Sequence, residues 1–178
     1  MELIKRLMLS LILASAFALS IPPRSLAHAV QRPTSAQQTT KPPQGTPAAV
    51  KLEQLLTQSG YSFTKAADNV WVIKFRGKAL PELNIIVTTT QALAIIGAVV
   101  VEKKNLKPSP ELNYNLLKLN HKFDRVKIGI DDDEDLFVRV EVGARVLDLQ
   151  EFKDNVEQVA AATDEVFAAI RPSVTTSE

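Results

Sequence analysis

Two stretches of the sequence alternate between apolar and polar residues on both sides of a short polar turn, and this pattern strongly constrains the fold. The first stretch surrounds residues 66–69 and the second surrounds the acidic turn at residues 131–135. The apolar residues that set the period are Tyr61, Phe63, Trp71, Ile73 and Phe75 in the first stretch, and Val126, Ile128, Val138 and Val140 in the second. Because side chains alternate between the faces of a strand, each stretch is predicted to be a β-hairpin.

The segments around these hairpins complete the predicted order of elements. Two further β-branched runs lie between residues 83 and 101 and favour strands. Helical spacing of apolar residues occurs at 48–59, between the N-cap Ser109 and a predicted end at Asn120, and at 149–170. The predicted order is therefore helix, four strands, helix, two strands, helix. This order predicts an α+β fold with a mainly antiparallel sheet and its helices on one face.

Residues 1–29 have the three parts of a secretory signal peptide. A Lys-Arg pair precedes an apolar run at residues 7–21, and an Ala-His-Ala sequence ends at Ala29. The 15 residues of this run extend about 22 Å as a helix, less than the ~30 Å hydrocarbon core of a bilayer. We therefore expect cleavage after Ala29, export to the periplasm or the medium, and no transmembrane segment in the mature chain.

The chain after the signal peptide has three parts of different composition. Residues 30–47 are rich in Pro, Thr, Gln and Ser and have almost no apolar side chains, which predicts a disordered linker. Residues 48–170 contain the predicted helices and strands and are expected to form one α+β domain. Residues 171–178 are predicted to be a flexible tail.

The composition excludes several kinds of catalytic and metal-binding chemistry. The chain has no cysteine, which excludes disulfides, thiol nucleophiles and zinc–thiolate sites. Its net charge of +1 lacks the strong basic excess of a nucleic-acid-binding protein. His121 is the one histidine left after the predicted cleavage, and neither a G-x-S-x-G sequence nor a glycine-rich phosphate loop occurs. We expect no enzyme activity, no catalytic residue, no cofactor, no metal and no nucleic-acid partner.

The acidic turn DDDED is a conspicuous charged cluster. Asp131, Asp133 and Asp135 have the spacing of the first three calcium ligands of an EF-hand loop. The glycine required at the sixth position and the glutamate required at the twelfth are both missing. The pattern therefore favours a solvated hairpin turn, with a weak cation site as the alternative.

The run at residues 92–101 is apolar at every position except its single glycine, so both sides of the predicted strand are apolar. If the helices cover one face of the sheet, the other side of this strand needs a cover as well. We therefore predict self-association or partner binding at this strand. The candidate partner-binding residues are Leu93, Ile95, Ile96, Val99 and Val101.

Basic side chains alternate with the apolar residues of the two hairpins. If the apolar residues face the helices, alternation directs the basic ones to the opposite face of the sheet, which we call the second face. A solvated surface is one interpretation of this face, and a shallow site for an anionic ligand is the other. The candidate anionic-ligand residues are Lys74, Arg76, Arg125, Lys127 and Arg139.

The C-terminal half of the sequence resembles the YbjN domain family. The resemblance is carried by LLKLNHKF at residues 116–123, by the hairpin VKIGIDDDEDLFVRVEV and by the helix EFKDNVEQVAAATDEVF. It covers about residues 50–170 and is strongest from Leu112 to Ile170. It implies a fold similar to type III secretion chaperones and a role in bacterial sensory transduction regulation, with no catalytic residues to carry over.

These features predict an exported, non-catalytic protein-interaction or regulatory module. It is expected to bind a partner or itself, as a homodimer, through the apolar strand and the neighbouring sheet face. The alternative is a carrier of a small amphiphilic or anionic lipid-like ligand that uses the basic residues beside this strand. A concave apolar pocket would favour the carrier.

Overall fold

The computed structural model describes residues 46–175, so the predicted signal peptide, most of the predicted linker and residues 176–178 lie outside it. Short 3-10 turns at Lys103–Asn105 and Arg171–Ser173 accompany the main elements. Within the described range the order of helices and strands is the predicted one: α1 (Pro47–Ser59), β1 (Phe63–Ala67), β2 (Val70–Phe75), β3 (Leu83–Thr89), β4 (Leu93–Val101), α2 (Pro110–Lys122), β5 (Lys127–Ile130), β6 (Leu136–Gly143) and α3 (Leu149–Ile170).

The six strands form one sheet in the order β1-β2-β3-β4-β6-β5, and every neighbouring pair is antiparallel. Helix α3 packs over β3, β4 and β6, with α1 beside it over β3 and α2 beside it at β5. The same face of the sheet supplies the strand residues of the core. This confirms the predicted α+β class, with an antiparallel sheet and the helices on one face. No helix among residues 46–175 has the length and hydropathy to cross a membrane.

The core lies between α3 and the helix-facing side of the sheet. Helix α3 starts at Asp148, whose carboxylate accepts a hydrogen bond from the backbone N–H of Glu151 at 2.8 Å. Apolar residues then recur at three- and four-residue spacing along one side of the helix, so they face the sheet together. The fully buried members of this core include Phe152, Val156, Val159 and Val166 from α3, and Trp71, Ile85, Ile96, Val138 and Leu136 from the sheet.

Helix α1 begins slightly earlier than the sequence predicts. The Thr46 hydroxyl accepts a hydrogen bond from the backbone N–H of Ala49 at 3.3 Å, and Pro47 is the first helical residue. Proline is well suited to this position because the first turn of a helix needs no N–H there. The last two residues of the predicted linker therefore belong to the start of the fold.

The first part of the predicted flexible tail is hydrogen-bonded to the segment after β4. Val174 forms an antiparallel bridge with Leu106. The backbone N–H of Lys107 donates to the Ser173 carbonyl at 2.9 Å, and that of Thr175 donates to the Asn105 carbonyl at 2.8 Å. Residues 171–175 thus differ from the prediction and make defined contacts.

Helix α2 does not end at Asn120, as the sequence predicts, but continues to Lys122. The Asn120 side chain instead binds the backbone of Ile128 in β5, accepting from its N–H at 2.8 Å and donating to its carbonyl at 3.0 Å. Because β5 is an edge strand, this amide occupies backbone groups that a further strand could otherwise use. The chain turns at Arg125, whose φ is 65°, and β5 begins two residues later, at Lys127.

The loop between β2 and β3 is bound to α3 through Asp164. Its carboxylate accepts hydrogen bonds from the backbone N–H groups of Lys78, Ala79 and Leu80 at 2.8–3.0 Å. Burial alone would raise the pKa of Asp164, but these N–H groups and the Lys78 charge together hold it below its usual value. A Cβ on Gly77 would overlap this carboxylate and lie 2.9 Å from the Leu80 carbonyl oxygen, so the loop requires glycine there.

Candidate functional site

Strand β4 sends alternate side chains to opposite faces of the sheet. Ile96 points toward the helices and is 0% exposed. Val101 is also buried in the core, after a register shift that follows Val99. The prediction that Ile96 and Val101 belong to a partner-binding surface is therefore corrected: both are core residues. The other three predicted partner-binding residues, Leu93, Ile95 and Val99, lie on the second face.

Apolar side chains from three adjacent strands meet on the second face. Strand register places Val72 opposite Ile86 and places Ile86 opposite Gly97. Leu93 extends this surface at the end of β4 and is 37% exposed. We call the central group the apolar band; it consists of Val70, Val72, Ile86, Ile95 and Val99, of which the two β2 residues are buried and the other three are half-buried. Among residues 46–175, the three helices lie on the opposite side of the sheet from this band.

Gly97 allows β6 to approach β4 closely beside the apolar band. A Cβ at this position would lie 2.9 Å from the Cβ of Arg139 and 3.0 Å from the Val138 carbonyl oxygen. The space that a side chain of residue 97 would need is therefore filled by Arg139, the residue opposite it on β6.

Two of the predicted anionic-ligand residues share one carboxylate beside the band. Lys127 Nζ lies 2.7 Å from Glu141 Oε2, and Arg139 Nε lies 2.9 Å from Glu141 Oε1. The hydrogen bond from Lys127 is the main cause that lowers the pKa of Glu141, and Arg139 adds to it. Arg139 also lies over the Phe137 ring, 4.6 Å from its centroid. These side chains form a packed ionic group on β5 and β6 with one excess positive charge.

The other predicted anionic-ligand residues lie apart from this group. Lys74 and Arg76 are exposed at the end of β2, and no acidic side chain among residues 46–175 pairs with them. Arg125 is displaced by its left-handed backbone and pairs with Glu151 at the start of α3. Arg125 is therefore not on the second face, which corrects its assignment. The remaining four cations border the apolar band on two sides and do not converge on one site.

A second exposed apolar surface surrounds α2, and the sequence analysis did not identify it. Tyr114 is 60% exposed and Leu117 is 68% exposed on the outer side of the helix. Beside them is a surface pocket of about 270 Å³, lined mainly by Leu106, Pro108, Leu112, Leu116 and Ile130. Leu112, Leu116 and Leu119 lie at four- and three-residue spacing and form one apolar stripe of α2, which leaves Leu117 without a core position. In the sequence, the signal for this surface was Leu117, an apolar residue outside the core-facing stripe.

Comparisons with known proteins identify a fold and no family. No family model and no curated protein matches the sequence. The chain is similar to the crystal structure of YbjN from E. coli, with a TM-score of 0.52 and 17% identity, over 75% of this chain and 99% of that chain. This chain has a YbjN-like fold.

Two structures of protein complexes also match. One is the heterodimeric ExoU–SpcU complex of the Pseudomonas aeruginosa type III secretion system, with a TM-score of 0.49, 16% identity, and coverage of 68% of this chain and 98% of that chain. The other is the ExsC–ExsE complex, with a TM-score of 0.49, 15% identity, and coverage of 72% and 95%. Identities of this size assign no function to this chain.

The remaining candidate residues of the YbjN-like domain have ordinary structural surroundings. His121 is exposed near the end of α2. In the turn after β5, Asp131 Oδ1 accepts the N–H groups of Asp133 and Asp135 at 3.0 and 2.9 Å. Asp135 Oδ1 accepts the N–H of Lys103 at 2.7 Å. Among residues 46–175, no three His, Asp or Glu side chains are grouped so that they could hold a metal ion.

Proposed function

We propose that this chain is a non-catalytic protein-interaction module that binds a partner protein through the second face of its sheet. The accessible part of the apolar band carries this proposal, because Ile86, Ile95 and Val99 are only half-buried and the three helices lie on the other face of the sheet. Covering the remaining apolar area of these side chains and of Leu93 would contribute about 25 cal/mol per Å², which favours a protein partner. From the pattern of residues 1–29, we also propose that the module acts after export, and from its resemblance to the YbjN family that its role is regulatory.

The surroundings of the pocket beside α2 favour a protein partner over an anionic lipid-like ligand. The pocket is separate from the cations of the second face. The one cation in its lining, Lys103, is already paired with Glu134. An anionic headgroup would therefore find no free cation in the pocket.

Val99→Lys is expected to lower affinity for the partner at least tenfold without unfolding the domain. The substitution places an ammonium group where the partner covers the apolar band, and a tenfold loss corresponds to about 1.4 kcal/mol. The protein is purified gently from the cell envelope of its own organism and analysed by native mass spectrometry. Ala161→Lys, at an exposed position of α3, is the matched control. An unchanged partner mass on Val99→Lys would contradict the proposal.

We further propose that α2 mediates formation of a homodimer. A two-fold interface uses the same patch on both copies, so the patch must be complementary to itself. The α2 surface has this property, because exposed Tyr114 and Leu117 lie beside an apolar pocket. Glu111 and Lys118 are also exposed there, and an antiparallel pair of α2 helices would bring opposite charges together.

Leu117→Lys is expected to raise the dimer dissociation constant at least tenfold. It replaces a side chain that would enter the apolar pocket of the second copy with a charged one. Sedimentation equilibrium of the purified chain over a range of concentrations measures this change. Leu93→Lys, on the second face, is the control and is expected to leave the dimer intact. A wild-type chain that stays monomeric at every concentration would exclude this interface.

A further inference from the structure

We propose that the second face binds an amphipathic helix of the partner, with acidic residues on both sides of its apolar stripe. This inference rests on the proposed function and specifies the chemistry of the partner at the same surface. Two observations carry it: the width between the cationic borders and the net charge of the face.

The cationic borders of the apolar band are separated by about the width of one helix. Lys74 and Arg76 are on the β2 side, and Arg139 is on β6, three strand positions away. At 4.7–4.9 Å per position the borders are about 14 Å apart. A helix with its side chains is about 10–12 Å wide. One helix therefore fits over the band with a cation on each side.

Apolar residues of this helix would pack against the part of the band that the fold leaves accessible. Leu93 is exposed, and Ile86, Ile95 and Val99 are half-buried. Residues at three- and four-residue spacing along the partner helix would cover these side chains.

The charge of the face favours an acidic partner over a second copy of this chain. Lys74, Arg76, Lys127 and Arg139 carry four positive charges, and Glu141 offsets one of them. The same face of a second copy would bring a net charge of +3 against +3, which opposes association. Acidic residues on the two sides of a helix would instead pair with both borders.

Photocrosslinking tests which segment occupies the face. The full chain is produced in its own organism with benzoylphenylalanine in place of Val99, and the crosslinked peptide is sequenced. The expected product is a partner segment with apolar residues every three to four positions and Asp or Glu beside them. Benzoylphenylalanine in place of Ala161 is the control and should not capture this segment.

The captured segment, made as a synthetic peptide, then tests the charge argument. Lys74→Glu combined with Arg76→Glu is expected to weaken its binding at least tenfold in 50 mM salt, with a smaller effect in 500 mM salt. Lys104→Glu combined with Lys107→Glu, on exposed residues after β4, is the charge-matched control. The circular dichroism of the peptide should become more helical when it binds.

The outcomes separate this inference from the proposed function. A crosslinked segment of another protein that is basic, or that has no helical period, overturns the inference and leaves the proposed function standing. A crosslink to a second copy through this face also overturns the inference. If no protein is captured at residue 99, or only a lipid, both proposals are wrong.

Discussion

We expect Ile96→Lys to abolish cooperative folding of the domain and Val99→Lys to leave it folded. The two residues lie on the same strand, three positions apart, but on opposite faces of the sheet. Ile96 is 0% exposed and lies opposite Val87 on one neighbouring strand and Val140 on the other. A lysine there would bury an unpaired charge in the core, which costs more than a typical domain's 5–15 kcal/mol of stability can offset.

Circular dichroism and the fluorescence of Trp71, the single tryptophan, measure this difference. Wild type and Val99→Lys should each unfold in one cooperative transition in urea, and Ile96→Lys should show none. Ile96→Ala should lower the free energy of unfolding by about 2–5 kcal/mol through loss of burial and the remaining cavity. Ile96→Leu is the volume-conserving control and should cost less than about 1.5 kcal/mol. Equal stability of Ile96→Lys and Val99→Lys would contradict the assignment of faces.

The apolar–polar period of the sequence predicted most helices and strands, but it could not decide which side of β4 faces the core. In the two hairpins, polar residues such as Lys74, Lys127 and Arg139 alternate with apolar ones, so the core side is evident from the sequence even though Val70 and Val72 are apolar on the second face. In β4, by contrast, both sides are apolar, and alternation alone makes Ile96 and Val99 equivalent. The pairing of Ile96 with Val140 of β6 decides between them, and this contact depends on the register of two distant strands.

Other predictions differ from the structure because a single residue makes a contact that the apolar–polar period of the sequence does not determine. Asn120 was predicted to end α2 because asparagine is common at helix ends. Its amide instead binds the backbone of Ile128, across the bend that Arg125 makes with a φ of 65°. The same bend moves Arg125 off the second face. A local backbone conformation thus changed both the end of a helix and one residue of the candidate site.

Asp164→Ala is expected to lower the free energy of unfolding by about 2 kcal/mol, a large effect for a partly exposed residue. It leaves the N–H groups of Lys78, Ala79 and Leu80 without their carboxylate acceptor. Hydrogen bonds to a charged group contribute about 1.5–3 kcal/mol each, and water replaces part of this contribution at an accessible loop. Asp154→Ala, at an exposed position of the same helix, is the control for loss of a carboxylate. Urea unfolding of both variants measures the difference.

The contribution of Asp164 to the free energy of unfolding also depends on pH. Its hydrogen bonds determine whether this contribution grows or falls in acid. Its pKa is below the ordinary carboxyl value of about 3.9, so the folded state favours the ionised form. The stabilisation is complete above the ordinary value and is lost as the pH falls through the lower, folded-state pKa. The stability gap between wild type and Asp164→Ala should therefore be constant from pH 5 to 7 and should narrow below about pH 3.9. A gap that widens in acid would contradict this mechanism.

Gly77→Ala tests whether the glycine and the carboxylate act as one unit. The added methyl group displaces the Asp164 carboxylate from the loop, so this variant should lose about the same 2 kcal/mol as Asp164→Ala. In the double variant the alanine at 164 leaves room for the methyl group, and the combined loss should be smaller than the sum by at least about 1 kcal/mol. Some cost should remain, because the methyl group still lies 2.9 Å from the Leu80 carbonyl oxygen. Strictly additive losses would mean that Gly77 is required for the loop backbone alone, independently of Asp164.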